Sequence, residues 1–220
     1  MTDLVFLEPN KLGSEPFTTS DVIAAQAQIS YRSVQPMIER HENDLAEFGQ
    51  VRFQITPVKY ARGTNDKKIY QLNEQQATLL ITYLKNTPPV RQFKKDLVQE
   101  FYRMRRELTR RQIFRDAGKP IRRTLTDAIR DSGEDGRMHG HAYGTYTDLA
   151  YKAATGKIAR ILRKERGASA KAIATDFLTS DELSAYNKAE ERLTVLLDMG
   201  LTYDQIKTLL LVQTSKRLAG

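Results

Sequence analysis

Cysteine is absent from the 220 residues. That excludes disulfide scaffolds, cysteine-ligated zinc or iron–sulfur sites and thiol catalysis. Long apolar runs are absent as well: none approaches the ~18–20 residues of a membrane span. The N-terminus, Met1 to Pro9, has no basic start and no apolar stretch long enough for a signal peptide, so a cytoplasmic protein is expected rather than a secreted or transmembrane one. Histidine is scarce, with three copies. His139 and His141 flank Gly140 and supply two ligand types where a metal needs three or four; His41 falls on a polar helix face. All three are expected to be solvated. Gly156-Lys157 is followed by Ile158 and lacks the upstream glycine of a phosphate-binding loop. Dinucleotide-binding glycines, a nucleophile elbow and the zinc-protease histidine pair are also missing. The Glu134-Asp135 pair sits in a glycine-rich stretch, and acid–base work there would need burial. No catalytic residue, metal or cofactor is therefore expected, and the chain is not expected to be an enzyme.

What the sequence has is positive charge. Lysine and arginine number 35 against 27 acidic residues, a net of +8 and a pI near 9.6. The excess is local. Residues 101–130 hold ten basic groups against Glu107, Asp116 and Asp127, and residues 152–171 hold seven against Glu165. A basic chain without a membrane segment points to nucleic acid. The length allows one or two domains.

The first 16 residues have no clear period. Thr18 or Thr19 can cap a short helix containing Val22, Ile23, Ala24, Ala25 and Ala27. Ser30 offers a second cap, opening a helix with Val34, Met37, Ile38 and Leu45 on one face and an end at Gly49. Pro36 inside it is expected to kink or interrupt it. Val51, Phe53 and Ile55 alternate with Arg52, Gln54 and Thr56, the period of a half-buried strand, which Pro57 places at an edge. Residues 62–68 have turn composition, and 69–72 read as the returning strand. Asn73 and Gln76 form a capping box for a helix burying Ala77, Leu80, Ile81 and Leu84. Pro88-Pro89 break the chain. Val90, Phe93, Leu97, Phe101, Met104 and Leu108 then mark an apolar helical seam that either closes a core or pairs with a second copy.

A basic helix is expected from Ile121 to Ile129, followed by a glycine-rich linker containing Gly133, Gly136, Gly140 and Gly144. Thr147 is expected to cap a helix ending near Gly156, and another helix runs to about Gly167. Thr179 and Glu182 form a capping box for a helix ending at Gly200. Thr202 and Gln205 open a last helix burying Ile206, Leu209 and Leu210. The fold class read from this order is mainly α with a small β-hairpin (α+β). A winged helix-turn-helix domain over 1–115 is followed by a basic helix and linker over 116–145 and a helical domain over 146–220.

In a helix-turn-helix the start of the second helix meets base edges in the major groove. Here that start is Ser30, Tyr31, Arg32, Ser33 and Gln35, with Arg40 further along. Arginine pairs bidentately with guanine, glutamine with adenine, and serine with several edges. Arg62, Lys67 and Lys68 of the hairpin would reach the phosphate backbone or the minor groove.

The stretch Leu72-Asn73-Glu74-Gln75-Gln76-Ala77-Thr78-Leu79-Leu80, then Lys85-Asn86-Thr87, Phe93-Lys94, Leu97-Val98 and Phe101, resembles the phage regulatory protein Rha family. Thr19 to Val22, Ser33-Val34, Asp44-Leu45 and Phe48-Gly49 fit upstream, so the resemblance covers about residues 17–108. The helices after Thr145 look like a tail found on similar phage and prophage regulators. The resemblance implies a bacteriophage or prophage protein, a winged-helix domain on double-stranded DNA, a role in lytic/lysogenic transcription regulation and a nucleoid-associated place in the bacterial cytoplasm. A homodimer is expected, through the 90–108 seam or the C-terminal helices. The alternative is an antirepressor that binds a phage or host regulatory protein through those helices.

Overall fold

The computed structural model describes residues 3–7, 15–60 and 63–218. The chain is mostly helical with one small antiparallel sheet, an α+β protein. It divides into two compact units, 1–106 and 107–220.

In the first unit, Phe17–Thr19 form strand β1. Thr19 Oγ1 accepts the Val22 amide at 3.3 Å and caps helix α1, Ser20–Gln26. The helix stops where Gln28 turns left-handed (φ +54°). The Gln28 amide then reaches the Ala25 carbonyl and the Ile29 amide the Ala24 carbonyl, at 3.3 and 3.0 Å. This pair of bonds is a Schellman stop, which glycine usually occupies. Ser30 Oγ caps helix α2, Tyr31–Arg40. Pro36 does not interrupt α2. Arg32 and Pro36 are both exposed, so water can reach the carbonyl that proline leaves without a donor. The break falls instead at His41, and Leu45 belongs to a separate short helix α3, Glu42–Ala46.

Strands β2, Arg52–Tyr60, and β3, Gly63–Asn73, form the hairpin. Residues 63–68, expected to be turn, are strand: the register runs without interruption from Arg52↔Gln71 to Tyr60↔Gly63. The sheet order is β1-β3-β2, so Pro57 lies on an edge strand, where a missing amide costs no ladder bond. Phe53 and Ile55, expected to face a core, are 48% and 62% exposed. Strand β1 pairs only with Gln71, Leu72 and Asn73. Beyond that point the sheet is a two-stranded ribbon with nothing layered on Ile55.

Helix α4, Glu74–Tyr83, carries the expected capping box, and Ala77, Leu80, Ile81 and Leu84 are buried. Gln76 is 1% exposed. Its Oε1 accepts the Asn73 amide, while its Nε2 donates to the carbonyls of Gly49 at 2.7 Å and Leu45 at 3.3 Å. The cap therefore also holds the turn that leads into the hairpin. Helix α5 runs from Pro88 to Asp131. Val90, Phe93, Leu97 and Phe101 close the first core against Ile23, Val34, Ile38, Leu45, Leu72 and Leu80. That part of the seam is occupied by its own unit, so it offers no face to a second copy.

The second unit begins within α5, which continues without a break through Gly118 and Pro120. Leu125 and Ile129 of α5 are fully buried. Helices α6, Glu134–Arg137, α7, Ala142–Thr155, and α8, Ala159–Glu165, follow. A 3-10 turn, Ala174–Phe177, leads to α9, Ser180–Asp198, and α10, Tyr203–Leu218. The glycine-rich stretch is part of this unit: Glu134 is 3% exposed and accepts the Tyr146 hydroxyl at 2.9 Å. Thr147 is not a cap. It lies inside α7 and donates to the Tyr143 carbonyl. Gly156 does end α7, with φ +77°, and the Thr179–Glu182 box opens α9 as expected. Of the three leucine-type residues expected inside α10, Ile206 and Leu210 are buried while Leu209 is 48% exposed.

Candidate nucleic-acid interface

The hairpin and α2 are joined by aromatic side chains. Tyr31, in the first turn of α2, donates its phenol to the Lys68 carbonyl of β3. Tyr70, 2% exposed, donates its phenol to Glu39 Oε1 at 2.9 Å, tying β3 to the far end of α2. Burial raises both phenols above the ordinary tyrosine value, so both remain donors. Glu39 also accepts from Gln35 Nε2 at 3.0 Å. The Gln35 and Tyr70 bonds, in that order, hold its carboxyl below the ordinary glutamate value.

The two hairpin lysines lie over rings. Lys67 Nζ sits 4.2 Å from the centroid of Tyr31, and Lys68 Nζ sits 4.1 Å from Phe53 and 4.9 Å from Tyr70. Such contacts hold a cation in place without neutralising it. Lys67 is also paired with Asp21 of α1 at 2.6 Å, so part of its charge is spent within the unit.

The expected site residues therefore divide into groups. Tyr31, Lys67 and Lys68 come together where α2 meets the hairpin. Ser30 is committed to capping. Arg32, Ser33 and Arg40 are exposed on α2, and among the described residues neither arginine has an ion pair or side-chain hydrogen bond. Gln35 is engaged by Glu39 and is not free to meet a base as it stands. Arg62 lies outside the described residues. The carboxylates of Asp21 and Glu39 were missed. The Gln35–Glu39 pair had a signal in its i,i+4 spacing; the Asp21–Lys67 pair, 46 positions apart, had none.

His41 stacks on Tyr83 at 4.0 Å and meets Asp44 at 3.3 Å. His139 and His141 are exposed. Among the described residues no group of three or more His, Asp or Glu could hold a metal ion, and no helix is long and apolar enough to cross a membrane.

This helix-and-hairpin unit falls in a class of phage regulatory proteins. Residues 18–106 match the phage regulatory protein Rha family. The match runs from β1 to the point in α5 where the first unit ends, less than half of the chain, and α6 to α10 lie outside it. A search of curated proteins found no match.

Proposed function

We propose that the first unit is a winged helix-turn-helix that reads double-stranded DNA within a phage or prophage transcription regulator in the bacterial cytoplasm. One observation carries this reading. A four-residue turn joins α1 to α2, the first turn of α2 presents Arg32 and Ser33 to solvent, and Tyr31 fastens that same turn to a hairpin bearing Lys67 and Lys68. Base-reading donors and backbone-reaching cations thus belong to one rigid surface, which is what register on a duplex needs. The helix start adds amide groups that favour a phosphate. Activity here is binding, with no reaction assigned.

The Arg32→Ala, Ser33→Ala double variant is expected to lose discrimination between specific and bulk DNA by 10-fold or more, since a good bidentate base contact is worth about 1–3 kcal/mol. Lys68→Ala should weaken binding to all sequences alike. Competition binding with the two variants checks both. Unchanged selectivity after loss of Arg32 and Ser33 overturns the assignment of α2 as the reading helix.

A second reading has its own observation. Val195, Met199 and Leu209 of the second unit are 57%, 68% and 48% exposed, an apolar surface suited to a protein partner. On that reading the chain is an antirepressor or host-factor binder. Val195→Glu with Met199→Glu in the full chain should then abolish regulation and leave DNA binding intact. A dimer, if formed, would use the second unit, because Val90 to Phe101 are already packed.

A further inference from the structure

The second unit contains an open cavity of about 430 Å³ that the DNA reading does not use. Its size is that of a small-molecule site. Three cations stand along one side, because Arg115, Lys119 and Arg122 follow each other at helical spacing on α5. The opposite wall is apolar and aromatic: Leu183 and the rings of Tyr151 and Tyr186, whose centroids are 4.6 Å apart. Glu190, 1% exposed, lies at the bottom. Tyr186 and Arg122 both donate to its Oε1, at 2.8 and 2.9 Å, so Oε2 takes part in neither bond. Gly118 has a specific role: a Cβ there would come 2.7 Å from Asn187 Oδ1. Only glycine lets Asn187 of α9 lie this close to α5 while its amide donates to the Phe114 carbonyl at 2.8 Å.

The facing charges are not all spent. Arg115 pairs with Asp176 and Arg122 with Glu190 and Thr147. Lys119 pairs with Asp116, yet its side chain is 72% exposed and can swing over the mouth. Among the lining residues, three cations face one carboxylate. A simple anion would leave the tyrosine wall uncovered, and an apolar ligand would leave the cations unmet. We propose that this cavity binds a nucleoside monophosphate. Its phosphate would lie between Arg115 and Lys119, its base would lie on Tyr151 and Tyr186, and a base N–H would donate to Glu190 Oε2.

The test is calorimetric titration of the full chain with AMP, GMP, CMP and UMP, their nucleosides and inorganic phosphate. At least one nucleotide should bind saturably with Kd below about 1 mM, and its nucleoside about 10-fold more weakly, a 1.4 kcal/mol difference. Lys119→Glu, at an exposed position, should weaken that nucleotide by a similar factor with an unchanged Tm. Arg32→Ala, in the other unit, should leave it unchanged. No saturable binding at 1 mM, equal binding of inorganic phosphate, or loss in Arg32→Ala with retention in Lys119→Glu would each overturn the proposal.

Discussion

Gln28 occupies a backbone conformation that costs an ordinary residue roughly 1–2 kcal/mol. It does so because the Schellman stop of α1 must turn the chain within four residues to start α2. Its side chain is exposed, so glycine would lose no packing there. Gln28→Gly is expected to stabilise the first unit by about 0.5–1 kcal/mol once glycine's greater unfolded freedom is offset; urea unfolding of the variant reads this directly. Glu190 makes a different demand. Burial holds its carboxyl above the ordinary glutamate value, although Tyr186 and Arg122 pull it down. A carboxyl that holds its proton more tightly when folded loses stability as pH rises from its unfolded pKa through its folded one. The stability of the natural protein relative to Glu190→Gln should therefore fall as pH is raised from about 4.5 and then level off. Urea melts from pH 4 to 8 measure it, and a difference that stays flat or grows would contradict the assignment. Among the site residues, exposure of Arg32 and Ser33 was legible because polar positions opposite Val34 and Ile38 have nowhere else to point. The commitment of Lys67 to Asp21 was not, since no local pattern encodes a partner 46 positions away.

At the scale of elements, caps were the most readable feature. Thr19, Ser30, Asn73 with Gln76, and Thr179 with Glu182 all bond as their spacing requires, because a cap involves only a few consecutive residues. What a cap does beyond its own helix was not readable. Asn73 also donates to the Phe48 carbonyl at 2.8 Å, beside Gly49 with its φ of +112°. Asn73→Ala should therefore cost about 1–2 kcal/mol, at or above the usual value for a lost cap, and chemical denaturation checks it. The errors have one physical origin: tertiary packing overrode local propensity. Gly118 and Pro120 suggested a boundary, yet α5 passes through both, with Leu125 and Ile129 buried further along. Thr147 suggested a cap, but Ala142 and Tyr146 are buried and draw the start of α7 back to residue 142. Alternation in β2 suggested a covered face, while the short β1 leaves Phe53 and Ile55 open.

Across the whole molecule, composition gave the basic character and the two-part organisation, but not where one part ends. The glycine-rich stretch marked a boundary by composition; the compact units instead divide at 106/107, inside a helix. A helix interior carries no compositional mark of a domain limit, so only the packing of Phe101 on one side and Leu125 on the other reveals it. This changes how the chain should be dissected. A fragment starting at residue 146 lacks Leu125, Ile129 and Ala142 of the second core, so partner tests belong in the full protein. The central claim is that the net charge of +8 serves a surface that reads sequence rather than one that merely attracts polyanions. The measurement that tests it is binding of the full chain to fragments of its own phage or prophage genome at ~150 mM salt, against excess bulk DNA. The account predicts one fragment retained over competitor by about 10³-fold or more, the margin of specific readers. Uniform binding that vanishes as salt rises, as counterion release alone dictates, would contradict it.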